Sequence, residues 1–182
     1  MFKRFSPGES VSVTNKVKNS VGRGILSQIV EQYPALEDCI DTLLPKGNLV
    51  VGKAEDNVQL LLVGGEILFF QDKGIGPWMP TLRLLHKYPI MMQRMQVDKG
   101  AIRYVLGGAN IMCPGFTSAG GAMPEAVEEG QPVAIYAEGK EHAMALGVTK
   151  KSTADIAKDN RGVAVETVHY IGDGLFNDDK FN

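Results

Sequence analysis

Lys99, Gly100, Arg103, Gly107, Asn110 and Met112 fall within one short stretch, VDKGAIRYVLGGANIMCPG, at residues 97–115. The chemistry they offer is recognition rather than bond-making. Cations neutralise phosphate, and glycines let a ligand approach the main chain. Ala101, Ile102, Val105 and Leu106 share one face at the helical period, with Arg103 and Gly107 on the other. Asn110-Ile111-Met112 reads as a strand, and Pro114-Gly115 as the turn that ends it. A short helix with an exposed arginine beside small residues suits a nucleic-acid platform better than a catalytic pocket. Each residue also has a structural reading: the glycines cap and close, Arg103 is solvated, and Met112 is core. Lys150-Lys151, just after a strand, offers either a phosphate contact or an ordinary solvated pair.

Bond-making chemistry has less support. Cys113 is a candidate nucleophile with His142 or His169 as its base, but no spacing pairs them, and free cysteines are usually small buried hydrophobes. His86, His142 and His169 are scattered, with no CxxC or HxxxH, so the expectation is no metal site. Gly22-Arg23-Gly24 follows no strand and lacks the rest of a nucleotide-binding fingerprint. Glu128-Glu129 reads as a solvated turn. No catalytic residue and no cofactor are expected.

Composition narrows the partners. The chain has 182 residues, 44% of them hydrophobic, and a net charge of -2. Residues 1–90 hold ten Lys and Arg against nine Asp and Glu; residues 91–182 hold nine against twelve. A protein that coats nucleic acid non-specifically would be basic, so any RNA contact must rest on a local patch or on a partner that adds affinity. Two cysteines and no apolar run at the N-terminus lead to the expectation of a cytoplasmic protein without a leader.

Those residues need elements to hold them. Val21, Ile25, Leu26, Ile29, Val30 and Tyr33 make an apolar stripe at helical spacing, with Ser20 as its cap and Pro34 as its stop. Leu36 to Leu44 predicts a second helix, ended by Pro45. Leu49 to Val51 is a short strand, and Leu60–Val63 and Ile67–Phe70 flank a glycine turn as a hairpin covered on both faces. Gly74 to Pro77 is a loop, and Thr81 caps a short helix. Several short strands follow a join near 91–96, and so short a join predicts units packed against each other. Thr117 to Pro124 reads as a mobile small-residue loop, Ser152 to Asp155 as a capping box, and the tail from Asn177 as frayed. Phe2, Phe5 and Trp78 stand beside polar or turn residues. Trp78 reads equally as a partner-binding anchor or as a plug at the domain interface.

The 97–115 segment resembles the signature of the PUA domain, named for pseudouridine synthases and archaeosine transglycosylases. EGQPVAI (129–135), ALGV (145–148) and HYIGDGLF (169–176) look like the strands and closing segment that follow it. EILFF (66–70) and PTLRLLHKYP (80–89) are similar to the N-terminal domain of the malignant T-cell-amplified sequence family of translation factors. The likeness runs from Met1 to about Phe176. It implies an α+β N-terminal domain (1–91) followed by a small β-barrel PUA domain with peripheral short helices (92–182). It also implies a non-enzymatic factor on the small ribosomal subunit, paired with a density-regulated-protein-like partner in reinitiation and post-termination recycling. In that picture the PUA domain touches ribosomal RNA or tRNA. The N-terminal domain holds the partner, with Phe2, Phe5 and Trp78 as its contact residues. The alternative is an accessory RNA-binding module of a tRNA or rRNA modification complex. A protein-interaction scaffold that uses the barrel without RNA would suit the acidic charge.

Overall fold

The computed structural model describes residues 1–72 and 76–181. Its first unit is an antiparallel sheet whose strands lie in chain order: β1 (Val11–Lys16), β2 (Leu49–Ala54), β3 (Gln59–Val63), β4 (Glu66–Gln71) and β5 (Met79–Pro80). The apolar runs of β3 and β4 are buried almost throughout, as strands without alternation must be. Gly64 and Gly65 join them at φ 58° and 81°, where side chains with a Cβ are strained. The predicted loop before Pro77 lies partly outside the described residues. The edge strand β1 and the two-residue β5 fall outside the predicted elements: Val11 and Val13 alternate with Ser12 and Thr14 for only four residues, and β5 is too short to carry a pattern.

Four helices accompany this sheet: α1 (Pro7–Ser10), α2 (Asn19–Gln32), α3 (Ile40–Leu43) and α4 (Leu82–Lys87). Thr81 caps α4, its hydroxyl accepting from Leu84 N–H at 3.3 Å. Ser20 does not cap α2. The helix begins two residues earlier, at Asn19, Lys18 occupies the cap position, and Val21 is 55% exposed instead of buried. The predicted second helix is divided. Pro34–Leu36 forms a 3-10 turn, and α3 begins only after Cys39.

The second unit continues with β6 (Arg94–Val97), α5 (Ile102–Val105), β7 (Ile111–Met112), α6 (Pro114–Thr117), β8 (Pro132–Ala137), β9 (Ala145–Thr149), α7 (Thr153–Asp159), β10 (Val163–Tyr170) and α8 (Gly174–Asn177). Its sheet runs β6-β8-β9-β10-β7, with β6 parallel to β8 and the other pairs antiparallel. This is the small barrel expected, with short helices around it. Pro114-Gly115 is not a turn; Pro114 opens α6, where its fixed φ and missing N–H cost nothing. Nor is the segment from Thr117 to Pro124 loose. Gln96 and Ala122 exchange two backbone hydrogen bonds, and the Gln96 side chain donates to Gly120. Ser152 caps α7 as its spacing predicts, accepting from Asp155 N–H at 3.1 Å.

The two units share one apolar core. Ala134, Tyr136, Leu146, Val168 and Leu175 pack with residues of the first sheet, and Phe2 sits edge-on to Phe70 and His169. Gly174 is required there, because a Cβ would strike the Phe5 carbonyl. The expected frayed tail is instead tied back to the first unit. Ile67 N–H donates to the Asp179 carbonyl at 2.8 Å, and Phe181 N–H to the Gly65 carbonyl at 2.7 Å.

Candidate nucleic-acid interface

The segment from Asp98 to Ser118 encloses a groove of about 460 Å³ between α5 and β7. Asp98 organises its near end. The carboxylate accepts from Ala101 N–H at 3.0 Å, capping the turn before α5, and from the Ser118 hydroxyl at 2.6 Å. Ser118 holds this carboxyl below the usual carboxylate range, helped by the Ala101 and Gly100 amides and opposed by slight desolvation. At the far end Asn110 accepts from Thr167 N–H at 3.2 Å, and Thr167 donates its hydroxyl to the Ala109 carbonyl at 2.9 Å. These bonds fix the α5–β7 connection onto β10.

Three of the residues expected from sequence line the groove: Gly100, Asn110 and Met112. Met112 is 48% exposed, so it presents thioether surface instead of packing in the core. Lys99, Arg103 and Gly107 are exposed on the same segment but are not part of the lining. Arg103 is held by its neighbour, donating to the Tyr104 hydroxyl at 2.7 Å with the guanidinium 4.7 Å from that ring. Lys150 and Lys151 do not line the groove either. Lys150 pairs with Glu166 at 2.6 Å, and Lys151 donates to the Arg161 carbonyl at 2.8 Å. Leu106, expected on the buried face, is exposed because α5 ends at Val105.

Sequence pattern did not place Asp98, Tyr104 or Ser118 in this groove. Tyr104 had a readable signal: it falls off the apolar helical face, and a large aromatic there must meet solvent or a ligand. It is 55% exposed. The lining is largely apolar, with a carboxylate and an amide at its margins and the cations outside. That distribution suits a flat ring entering edge-first, its phosphates staying with Lys99 and Arg103.

The aromatic residues assigned to a partner are placed differently. Phe2 and Trp78 are each 2% exposed, and Phe5 is half-buried against Phe2. The backbone N–H of Trp78 donates to Gln32 and its indole N–H to Gln28, both on α2. Neither Phe2 nor Trp78 can therefore be an exposed anchor. Cys113 is buried, with its thiol directed at the Arg161 carbonyl. Among the described residues, no group of three His, Cys, Asp or Glu side chains converges as a metal site, and no helix is long and apolar enough to cross a membrane.

Fold and groove together define a two-domain protein in which a pre-PUA unit precedes a PUA barrel. The family described as "Pre-PUA-like domain" matches residues 5–89, and that described as "elF2D, PUA domain" matches residues 92–174. The chain belongs to the malignant T-cell-amplified sequence family. It is 49% identical to "Malignant T-cell-amplified sequence 2" of Homo sapiens, the alignment covering 97% of both chains. It is also 49% identical to "Translation machinery-associated protein 20" of Eremothecium gossypii, over 97% of this chain and 98% of that one. A hypothetical protein from the archaeon Pyrococcus horikoshii shares the fold, with a TM-score of 0.71, 22% identity and coverage of 91% and 98%.

Proposed function

We propose that this chain is a non-enzymatic, RNA-binding translation factor that engages the small ribosomal subunit or tRNA through its PUA groove. Its partner in this reading is a density-regulated-protein-like protein held by the first unit, and its tasks are reinitiation and post-termination recycling in the cytoplasm. The translation-associated part of the reading is supported by the translation-machinery name carried by a relative of nearly equal length. The RNA part is supported chiefly by the groove beside Asp98, open to solvent and flanked by the exposed Tyr104 and Met112.

In this reading an unpaired base lies between Tyr104 and Met112, and Lys99 and Arg103 meet the flanking phosphates. The acidic balance of the second unit then has a physical consequence. Few phosphates are neutralised, so affinity depends on stacking and on the tethered partner more than on counterion release.

The test is equilibrium binding of the purified chain to small subunits and to deacylated tRNA across a salt series. Lys99→Ala with Arg103→Ala should weaken binding and lower the log–log salt slope by about 2, near one unit for each phosphate no longer neutralised. Tyr104→Ala should cost about 1–3 kcal/mol with no change in slope, as expected when a stacking platform is removed. Unchanged affinity in both variants would remove the groove from consideration.

A further inference from the structure

Ile90 is 82% exposed, more than any other large apolar side chain among the described residues. It is not at a loose end. It occupies the 3-10 turn Pro89–Met91, where Met91 is buried at 6% and pins the turn. That turn packs against the 3-10 turn Pro34–Leu36, which is pinned in the same way by Leu36 at 1% exposure. Pro34, Ala35 and Pro89 are exposed beside Ile90, giving a rigid apolar knob in which both turns open with proline. A backbone fixed beforehand loses little entropy when a ligand covers it.

The chemistry around the knob is acidic. Glu31, Glu37 and Asp38 flank Pro34–Leu36, all exposed and without an ion-pair partner among the described residues. Glu31 and Glu37 also border a groove of about 540 Å³ between α2 and α3, whose floor includes Val30 and Ile40. The opposite end of that groove carries Arg23 and Lys46, with Lys46 already 3.3 Å from Asp41.

We infer that this face docks a partner protein through a segment that carries an apolar side chain between Lys or Arg residues. Charge selects the occupant. Unpaired carboxylates repel a nucleic-acid backbone. In a two-fold dimer they would oppose copies of themselves, which disfavours a second copy of this chain. A basic and apolar peptide satisfies both the knob and its rim. The polarity of the groove orients that peptide, with its basic part toward Glu37. This assignment rests on the proposal that the chain works with a protein partner, and it gives that partner exposed side chains to contact instead of the buried Phe2 and Trp78.

The test is isothermal titration calorimetry of the full chain against purified density-regulated protein, comparing wild type, Ile90→Ser and Glu37→Lys with Asp38→Lys. Each variant should bind at least tenfold more weakly while its thermal midpoint and its binding to small subunits stay unchanged. Replacing a partner Lys by Glu should restore affinity to the Glu37→Lys, Asp38→Lys variant. Wild-type affinity in both variants overturns the surface and leaves the partnership standing. A wild-type chain that binds no density-regulated protein overturns both readings. Concentration-dependent self-association abolished by Ile90→Ser would reassign the face to a second copy and overturn this one.

Discussion

Nδ1 of His169 lies 2.7 Å from Oδ2 of Asp173, and neither side chain is exposed. The pair stands where the units meet, with the His169 ring 5.8 Å from Phe2 and 5.9 Å from Phe70. Asp173 does more than hold the imidazole. It accepts from Tyr170 N–H at 3.0 Å and, through its other oxygen, from Phe176 N–H at 2.9 Å, so it caps α8 and shapes the turn after β10.

Asp173→Ala strands three buried or half-buried donors at once. The expected loss is about 3 kcal/mol, since an unpaired buried polar group costs more than a hydrogen bond contributes. Asp173→Asn, which retains an acceptor oxygen, should lose less. Urea unfolding followed by the fluorescence of the single tryptophan reads both; equal midpoints for the alanine variant and wild type would refute the role.

The Asp98–Ser118 hydrogen bond predicts a pH effect with a defined sign. The Ser118 hydroxyl depresses the Asp98 carboxyl below its ordinary value. The stabilisation from this group is therefore complete above the unfolded value, about 3.9, and disappears as pH falls through the lower folded value. Ser118→Ala should raise the folded value toward the ordinary one and move acid loosening of the 98–101 turn to higher pH. Carboxyl-carbon NMR titration of Asp98 measures this directly, and identical titration midpoints would count against it.

Removal of residues 178–182 should unmask the start of β4, which β5 does not reach and the tail covers. It deletes the two backbone hydrogen bonds to Gly65 and Ile67, the one from Asp178 to Gly174, and the Arg83–Asp179 ion pair at 3.5 Å. The amide of Ile67 should then exchange with solvent much faster, and stability should fall by about 1–2 kcal/mol. An unchanged exchange rate at Ile67 would show that the tail contributes nothing there.

Trp78→Ala should act on folding before it acts on any partner. A fully enclosed aromatic leaves a large cavity when truncated, at about 3–5 kcal/mol. Differential scanning calorimetry should show a clearly lower midpoint, and Phe2→Ala should do the same because its ring is packed against Phe70 at 4.8 Å. A wild-type midpoint in Trp78→Ala would mean that the side chain is not integral to the core.

Much of the fold was legible because its signals are local. The hairpin of β3 and β4 follows from two apolar runs around paired glycines. The caps at Thr81 and Ser152 follow from hydroxyl spacing ahead of short helices. The Ser20 cap failed for a local reason too, since α2 starts two residues earlier. β1 and the tail bridge were hidden because each is held by a strand distant in the chain: β1 by β2, and Asp179 by Ile67. A quarter of the groove lining was readable in the same way. Gly100, Asn110 and Met112 stand in one short segment, whereas Ser118 enters only because α6 folds back to Asp98.

Residue order alone settles the succession of the two units, the strand periodicity and the segment that builds the groove, since these depend on side-chain type at short spacing. Which apolar residues face water is settled only by long-range packing. Phe2 and Trp78 are enclosed by Phe70, His169 and α2, while Ile90, Tyr104 and Met112 are left outside. Burial is set by what packs opposite a residue. For this chain, the opposing surface usually comes from the other unit or from a distant strand.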